Sequence, residues 1–161
     1  MRSLRRASPA VAVGSGERVL AACESVDGVV LAGTRDALYL GSTRIAWEQV
    51  GAADWDSETD AFRVSLVGSW GQEKVSHAYD LTAPGRLLEL VRERVTASVV
   101  LQRHVPIHGR RGVRVIGRRP PRGTGGIEWF FEYDQGVDPA DPVVRTAAAS
   151  ALATARADVG L

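Results

Sequence analysis

Phe62-Arg63-Val64-Ser65-Leu66 sets three apolar side chains on one side of an extended chain and two polar ones on the other. A two-residue period is the mark of a strand with one buried and one wet face. The same period runs outward in both directions. Upstream, Val19, Ala21 and Cys23 alternate with Leu20 and Ala22, and Asp27-Gly28 is a hairpin signal ahead of a second strand over Val29 to Ala32. Ala37 to Leu40 follows, then Ile45 and Trp47 on one face of a fourth strand, and Ala53 to Asp56 as a fifth. Downstream, a polar turn over Ser69 to Gln72 leads to Val75, His77, Tyr79 and Leu81. Short strands about ten residues apart predict a small antiparallel barrel or sandwich over Glu17 to Leu81.

Beyond Leu81 the period changes. Thr82 is a cap candidate with Pro84 in the first turn, and Leu87, Leu88, Val91 and Val95 recur at helical spacing to an end near Ala97. The last third repeats the order of strands followed by a helix. Val99 to Ile107 reads as a strand placed on an edge by Pro106, and Gly109-Arg110-Arg111-Gly112 as its turn. Val113 and Val115 continue the sheet, Pro120 to Gly126 is a loop, and Ile127, Trp129, Phe131 and Tyr133 share one face of a third strand. Asp141 caps a final helix with Pro142 in its first turn, a buried stripe of Val144, Ala148, Ala151, Leu152 and Ala155, and a stop at Gly160.

Strands closed by one amphipathic helix, with Thr34-Arg35-Asp36-Ala37-Leu38-Tyr39-Leu40 and Ile45-Ala46-Trp47-Glu48-Gln49-Val50 among them, resemble the bacterial branch of the pleckstrin-homology-like superfamily and the related GRAM-type modules. The resemblance spans Glu17 to Ala97 and implies lipid or peptide binding without catalysis. Phosphoinositide-binding relatives carry bases in the loop joining the first two strands. Here that loop, Glu24-Ser25-Val26-Asp27-Gly28, holds two acids and no base, and an inositol phosphate would be repelled. The expected fold is mainly β (α+β): a disordered basic arm over 1–16, a pleckstrin-homology-like barrel capped by a helix over 17–97, and a β-β-β-α extension packed on it over 98–161.

Composition narrows the function classes. The single cysteine, Cys23, excludes an internal disulfide framework, and no apolar run approaches the roughly 18 residues of a membrane span. Arg2, Arg5 and Arg6 precede an apolar stretch of four residues, too short for a secretory signal. Lys74 is the only lysine among 20 basic residues, a bias typical of a high-GC bacterium. The net charge of +1 hides segregation: +3 over 1–16, -6 over 17–85, +8 over 86–122 and -4 over 123–161.

The basic strip is the first candidate site. Arg103, Arg110, Arg111, Arg114, Arg118, Arg119 and Arg122 fall within 20 residues that contain no acid. Guanidinium forks grip phosphate, and Arg114 and Arg118, four apart on a strand, project from one face. The alternative is a solvated hairpin paired with the acidic barrel. Trp70, between Ser69 and Gly71 in a polar turn, is the aromatic best placed to anchor a partner. His104 and His108 suggest a metal only on a helix; on a strand they stand about 13 Å apart, too far to share an ion. Cys23 and His77 read as core residues, and the glycines at 109–112 and 123–126 lack the helix or lysine of a phosphate cradle. Asp54, Asp56, Glu58 and Asp60 lack the glycine and closing glutamate of a calcium loop.

These features converge on a non-enzymatic binding or scaffold module of a bacterial cytoplasm, needing no cofactor, that engages a protein partner or its own copy. An anionic-surface binder, of membrane lipid or nucleic acid, through residues 103–122 is the alternative.

Overall fold

The computed structural model describes residues 11–67, 75–122 and 125–161. It is mainly β, with three antiparallel sheets and two helices. The chain divides into two compact units, the first built on residues up to 97 with 120–122, the second on 98–119 with the remainder of the C-terminal part.

In the first unit, β1 (Ala21–Glu24), β2 (Val30–Gly33), β3 (Ala37–Leu40) and β4 (Thr43–Ala46) pair in sequence order as one sheet. β5 (Val50–Asp56), β6 (Ala61–Leu66) and β7 (Ser76–Asp80) form a second. The strands are thus held in two sheets, not one continuous ladder. The passage between them lies at Trp47, expected on the face of β4. The ladder stops at the pair Ala37–Ala46, because β3 begins there, and Trp47–Gln49 turns as a short 3₁₀ segment. Trp47 enters the core with 0% exposure, and its indole N–H donates to the Thr34 carbonyl at 2.9 Å. Burying this ring without that bond would leave a polar N–H orphaned.

Two boundaries differ from the sequence reading. β5 starts at Val50, three residues earlier than expected, with a register shift between Val50 and Ala52. Gly51 lies in that bulge, where a Cβ would come within 3.3 Å of the Leu66 backbone. The helix α1 runs Leu87–Ser98, so Thr82 does not cap it. Gly85 sits at φ +56°, outside helical space, and delays the start. α1 buries Leu87, Leu90 and Val91 against Leu31, Leu38, Trp47, Phe62 and Val64, while Leu88 and Val95 are only partly covered. The i, i+3, i+4 stripe therefore runs through Leu90, and Leu88 sits at its margin.

The second unit places β8 (Val99–His108), β9 (Arg111–Arg118) and β10 (Glu128–Tyr133) in the order β10-β9-β8, followed by α2 (Pro142–Asp158). Asp141 accepts from the Val143 N–H at 2.9 Å, and Pro142 opens the helix. Val144, Ala148, Ala151 and Ala155 are buried; Leu152 packs at the margin. Cross-strand rows run Leu101–Gly117–Trp129, Arg103–Val115–Phe131 and Val105–Val113–Tyr133. Trp129 covers the gap at Gly117, where a Cβ would come within 2.8 Å of its ring.

Gly112 has less room still. Its N–H donates to the Asp134 carboxylate at 2.8 Å, and its carbonyl accepts from the Asp134 N–H at 3.0 Å. Both main-chain groups thus face β10. The pair Pro106–Gly112 is consequently not hydrogen-bonded, and the N–H that proline lacks falls on the outer side of the edge strand β8. A Cβ on Gly112 would sit 1.9 Å from the Val105 carbonyl oxygen and 2.8 Å from Pro106 Cα. Because those are backbone atoms, no rotamer change relieves the clash. Gly112→Ala is expected to destabilise the second unit by about 3 kcal/mol, the upper end of overpacking costs. Urea denaturation followed by the unit's aromatic signals checks this; an unchanged midpoint would contradict the packing described.

Candidate functional site

The hairpin β8–β9 carries most of the basic strip, and its cations divide by what lies beside them. Arg114 stands between His104 and Glu132 in one cross-strand row, with its Nη1 3.7 Å from the Glu132 carboxylate. His104 Nε2 lies 2.8 Å from Asp134 Oδ2, the same oxygen that accepts from Gly112 N–H. The His104 and Gly112 bonds hold the Asp134 carboxyl below the usual aspartate range. Arg103 forms an ion pair with Asp158 at the end of α2.

Arg118 departs from the expected solvent-facing strip. It is 4% exposed, and its Nη1 donates to the Ser98 hydroxyl at 3.0 Å. Burial pushes its pKa below the usual arginine value. Arg118 and Ile116 occupy alternate positions of one face of β9, and both are buried there. The shared face with Arg114 is real, but only Arg114 reaches water. Arg122 belongs to the first unit, where its Nε and Nη2 grip Asp36 Oδ1 and Oδ2 at 3.0 and 2.7 Å. Such a fork leaves little of the guanidinium for a ligand.

Three arginines remain. Arg110 and Arg119 are exposed and carry no ion pair or side-chain hydrogen bond among the described residues. Arg111 is exposed and donates to the Gln135 carbonyl at 3.3 Å, with no carboxylate partner among the described residues. Arg110 and Arg111 share the hairpin tip with the left-handed Gly109 (φ +62°) and exposed His108. Trp70 and residues 1–10 of the basic arm lie outside the described residues.

Cys23 is a free, buried thiol whose pKa burial raises. His77 is half-buried on β7, beside Tyr79 on the same face. Asp54, Asp56, Glu58 and Asp60 surround the β5–β6 turn, where the Asp56 carboxylate accepts from the Glu58 N–H at 2.9 Å. Among the described residues no cluster of metal-ligating side chains forms and no helix is long and apolar enough to cross a membrane.

Glu17 carries no motif in the sequence, yet it is the centre of a polar network. Its carboxylate, 6% exposed, accepts from Tyr39 Oη at 2.6 Å, Thr34 Oγ1 at 2.7 Å and Arg44 Nε at 3.1 Å. Tyr39 Oη in turn accepts from the Gly14 N–H at 2.8 Å, tying the N-terminal segment to β3. Burial alone would raise the Glu17 pKa; the bonds from Tyr39, Thr34 and Arg44, with the Arg44 charge, outweigh it and bring it down to about 2. Arg18, Arg35 and Asp36 rim a cleft of about 240 Å³ beside this network. In the sequence Tyr39 reads only as a strand residue and Thr34 only as part of the segment ahead of that strand. The partner 17 or 22 positions away has no local signal.

A carboxyl held below its unfolded pKa of about 4.3 contributes stability that is complete above that value. It is lost as pH falls toward about 2. Glu17→Gln should therefore unfold at lower urea than the unaltered chain at neutral pH, with the gap closing between about pH 4 and pH 2. A gap independent of pH would contradict the ionised network.

Comparison with protein-family models, with curated proteins and with solved structures finds no match to this chain.

Proposed function

We propose that the protein is a non-enzymatic binding or scaffold module, with a pleckstrin-homology-like first unit, that engages another protein or a second copy through the tip of the β8–β9 hairpin. The likeness is supported by strand order: four strands, then three, then one helix whose Leu87, Leu90 and Val91 enter the same core. The β-β-β-α arrangement of 98–161 adds the hairpin to that frame.

One observation carries the choice of partner. Arg103, Arg114 and Arg122 each lie against a carboxylate of this chain and Arg118 is buried, which leaves Arg110, Arg111 and Arg119 facing water. Polyanions bind through many simultaneous phosphate contacts, each releasing counterions. So few open cations, on a sheet that supplies its own carboxylates, suit a small acidic footprint on a protein better than a nucleic-acid backbone or a lipid surface.

Binding to duplex DNA and to phosphatidylserine vesicles, measured across salt, separates the readings. On duplex DNA the module reading predicts a log–log salt slope no steeper than about -2.7, the value for three phosphate contacts. It also predicts a protein co-purifying from the native cell, or a dimer by light scattering, that Arg110→Glu/Arg111→Glu removes. A slope steeper than about -4 on DNA, or vesicle binding that Arg110→Glu/Arg111→Glu abolishes, would overturn it in favour of anionic-surface binding.

A further inference from the structure

We infer that the outer edge of β8 receives an acidic, extended segment of the partner as an added antiparallel strand. The inference rests on the partner reading above and specifies its chemistry. β8, at ten residues, is the longest strand among the described residues and is an edge of its sheet. Since Gly112 spends its N–H and carbonyl on Asp134, the alternation of the ladder turns Gln102, His104 and Pro106 outward. Among the described residues no hydrogen bond reaches the main-chain N–H or C=O of Gln102 or His104 on that side. Chains usually blunt such a row with proline or charge. Here Pro106 blunts only the end nearest the turn, and the stretch from Leu101 to Val105 stays open.

The side chains beside that stretch set what fits. On the α2 side, Leu101 and Val105 are partly buried hydrophobics at the border of the cluster formed by Val115, Ala151 and Ala155, and Arg103 between them is paired with Asp158. An added strand would lay every second side chain on this face, beside the apolar Leu101 and Val105. On the other side stand exposed Gln102 and His104, and beyond the strand end lie Arg110 and Arg111. Arg110, Arg111 and Arg119 are exposed with no carboxylate partner among the described residues, so a second copy on this edge would bring these like charges together, while acidic side chains are drawn to them. The fitting ligand alternates apolar and acidic residues.

The test uses the full chain, isotope-labelled, with a capped peptide of alternating valine and glutamate about six residues long, a typical strand length. Expected results are shifts of the Gln102 and His104 amides and roughly tenfold slower hydrogen exchange at both. Arg110→Glu/Arg111→Glu should weaken peptide binding about tenfold through lost charge complementarity. N-methylation of alternate peptide residues, tried in both registers, should abolish it in one register, and a valine–lysine peptide should not bind. Gln102→Pro, which removes an outward N–H as Pro106 already does, should also abolish it.

Binding that survives N-methylation in both registers, or that leaves the Gln102 and His104 amides unmoved, overturns the inference. Protection of those amides without peptide, alongside a dimer mass, overturns it too, because a second copy then occupies the edge. If an Arg110/Arg111-dependent partner is found whose binding leaves β8 unprotected, the edge fails and the module reading stands. Loss of both the partner and the peptide interaction ends the two together.

Discussion

Neutralisation between neighbouring strands governs what this chain can present to a partner. Arg114 faces Glu132 across the β9–β10 ladder, Asp134 bridges His104 on β8 and Gly112 on β9, and Arg103 reaches Asp158 on α2. Exposed pairs of this kind add at most about 1 kcal/mol each to stability. Their larger consequence is to decide which cations stay free. A run of arginine in the sequence becomes, in the folded sheet, a row of satisfied pairs with open charge left at the hairpin tip and at Arg119.

The first unit obeys the same logic with stricter terms. The Glu17 side chain is only 6% exposed, and a carboxylate so covered stays ionised only if donors replace its hydration. Tyr39, Thr34 and Arg44 supply them, and Arg122 holds Asp36 close by in sequence to Thr34. The polar network therefore ties the N-terminal segment and the β2–β3 turn to β3 and β4, while the indole of Trp47, bonded to the Thr34 carbonyl, fixes the same turn from the core side. Thr34, fully buried, serves both.

Local periodicity made much of this architecture legible. Phe62 and Val64 are buried as their alternation indicates, Gly28 turns the first hairpin at φ +85°, and Asp141-Pro142 opens α2. The misplaced boundaries at Val50 and Leu87 both lie beside a glycine whose conformation depends on its surroundings: Gly51 in a bulge against Leu66, Gly85 in a left-handed turn. The candidate site was harder to read, because a charge's availability depends on distant partners. Asp36 and Arg122 are 86 residues apart, and Arg118 has the same local pattern as Arg114 yet is buried against Ser98. Spacing gave the face of each arginine but not what covered it.

Side-chain carboxyl titration by carbon-detected NMR examines this charge economy most directly. The account requires Asp134 to titrate below the ordinary aspartate range and Glu17 near 2, since both are held ionised by the donors named above. Ordinary values at both, about 3.9 and 4.3, would mean that the two carboxylates stand free of the donors placed beside them and that the polar pairing described in each unit is not formed.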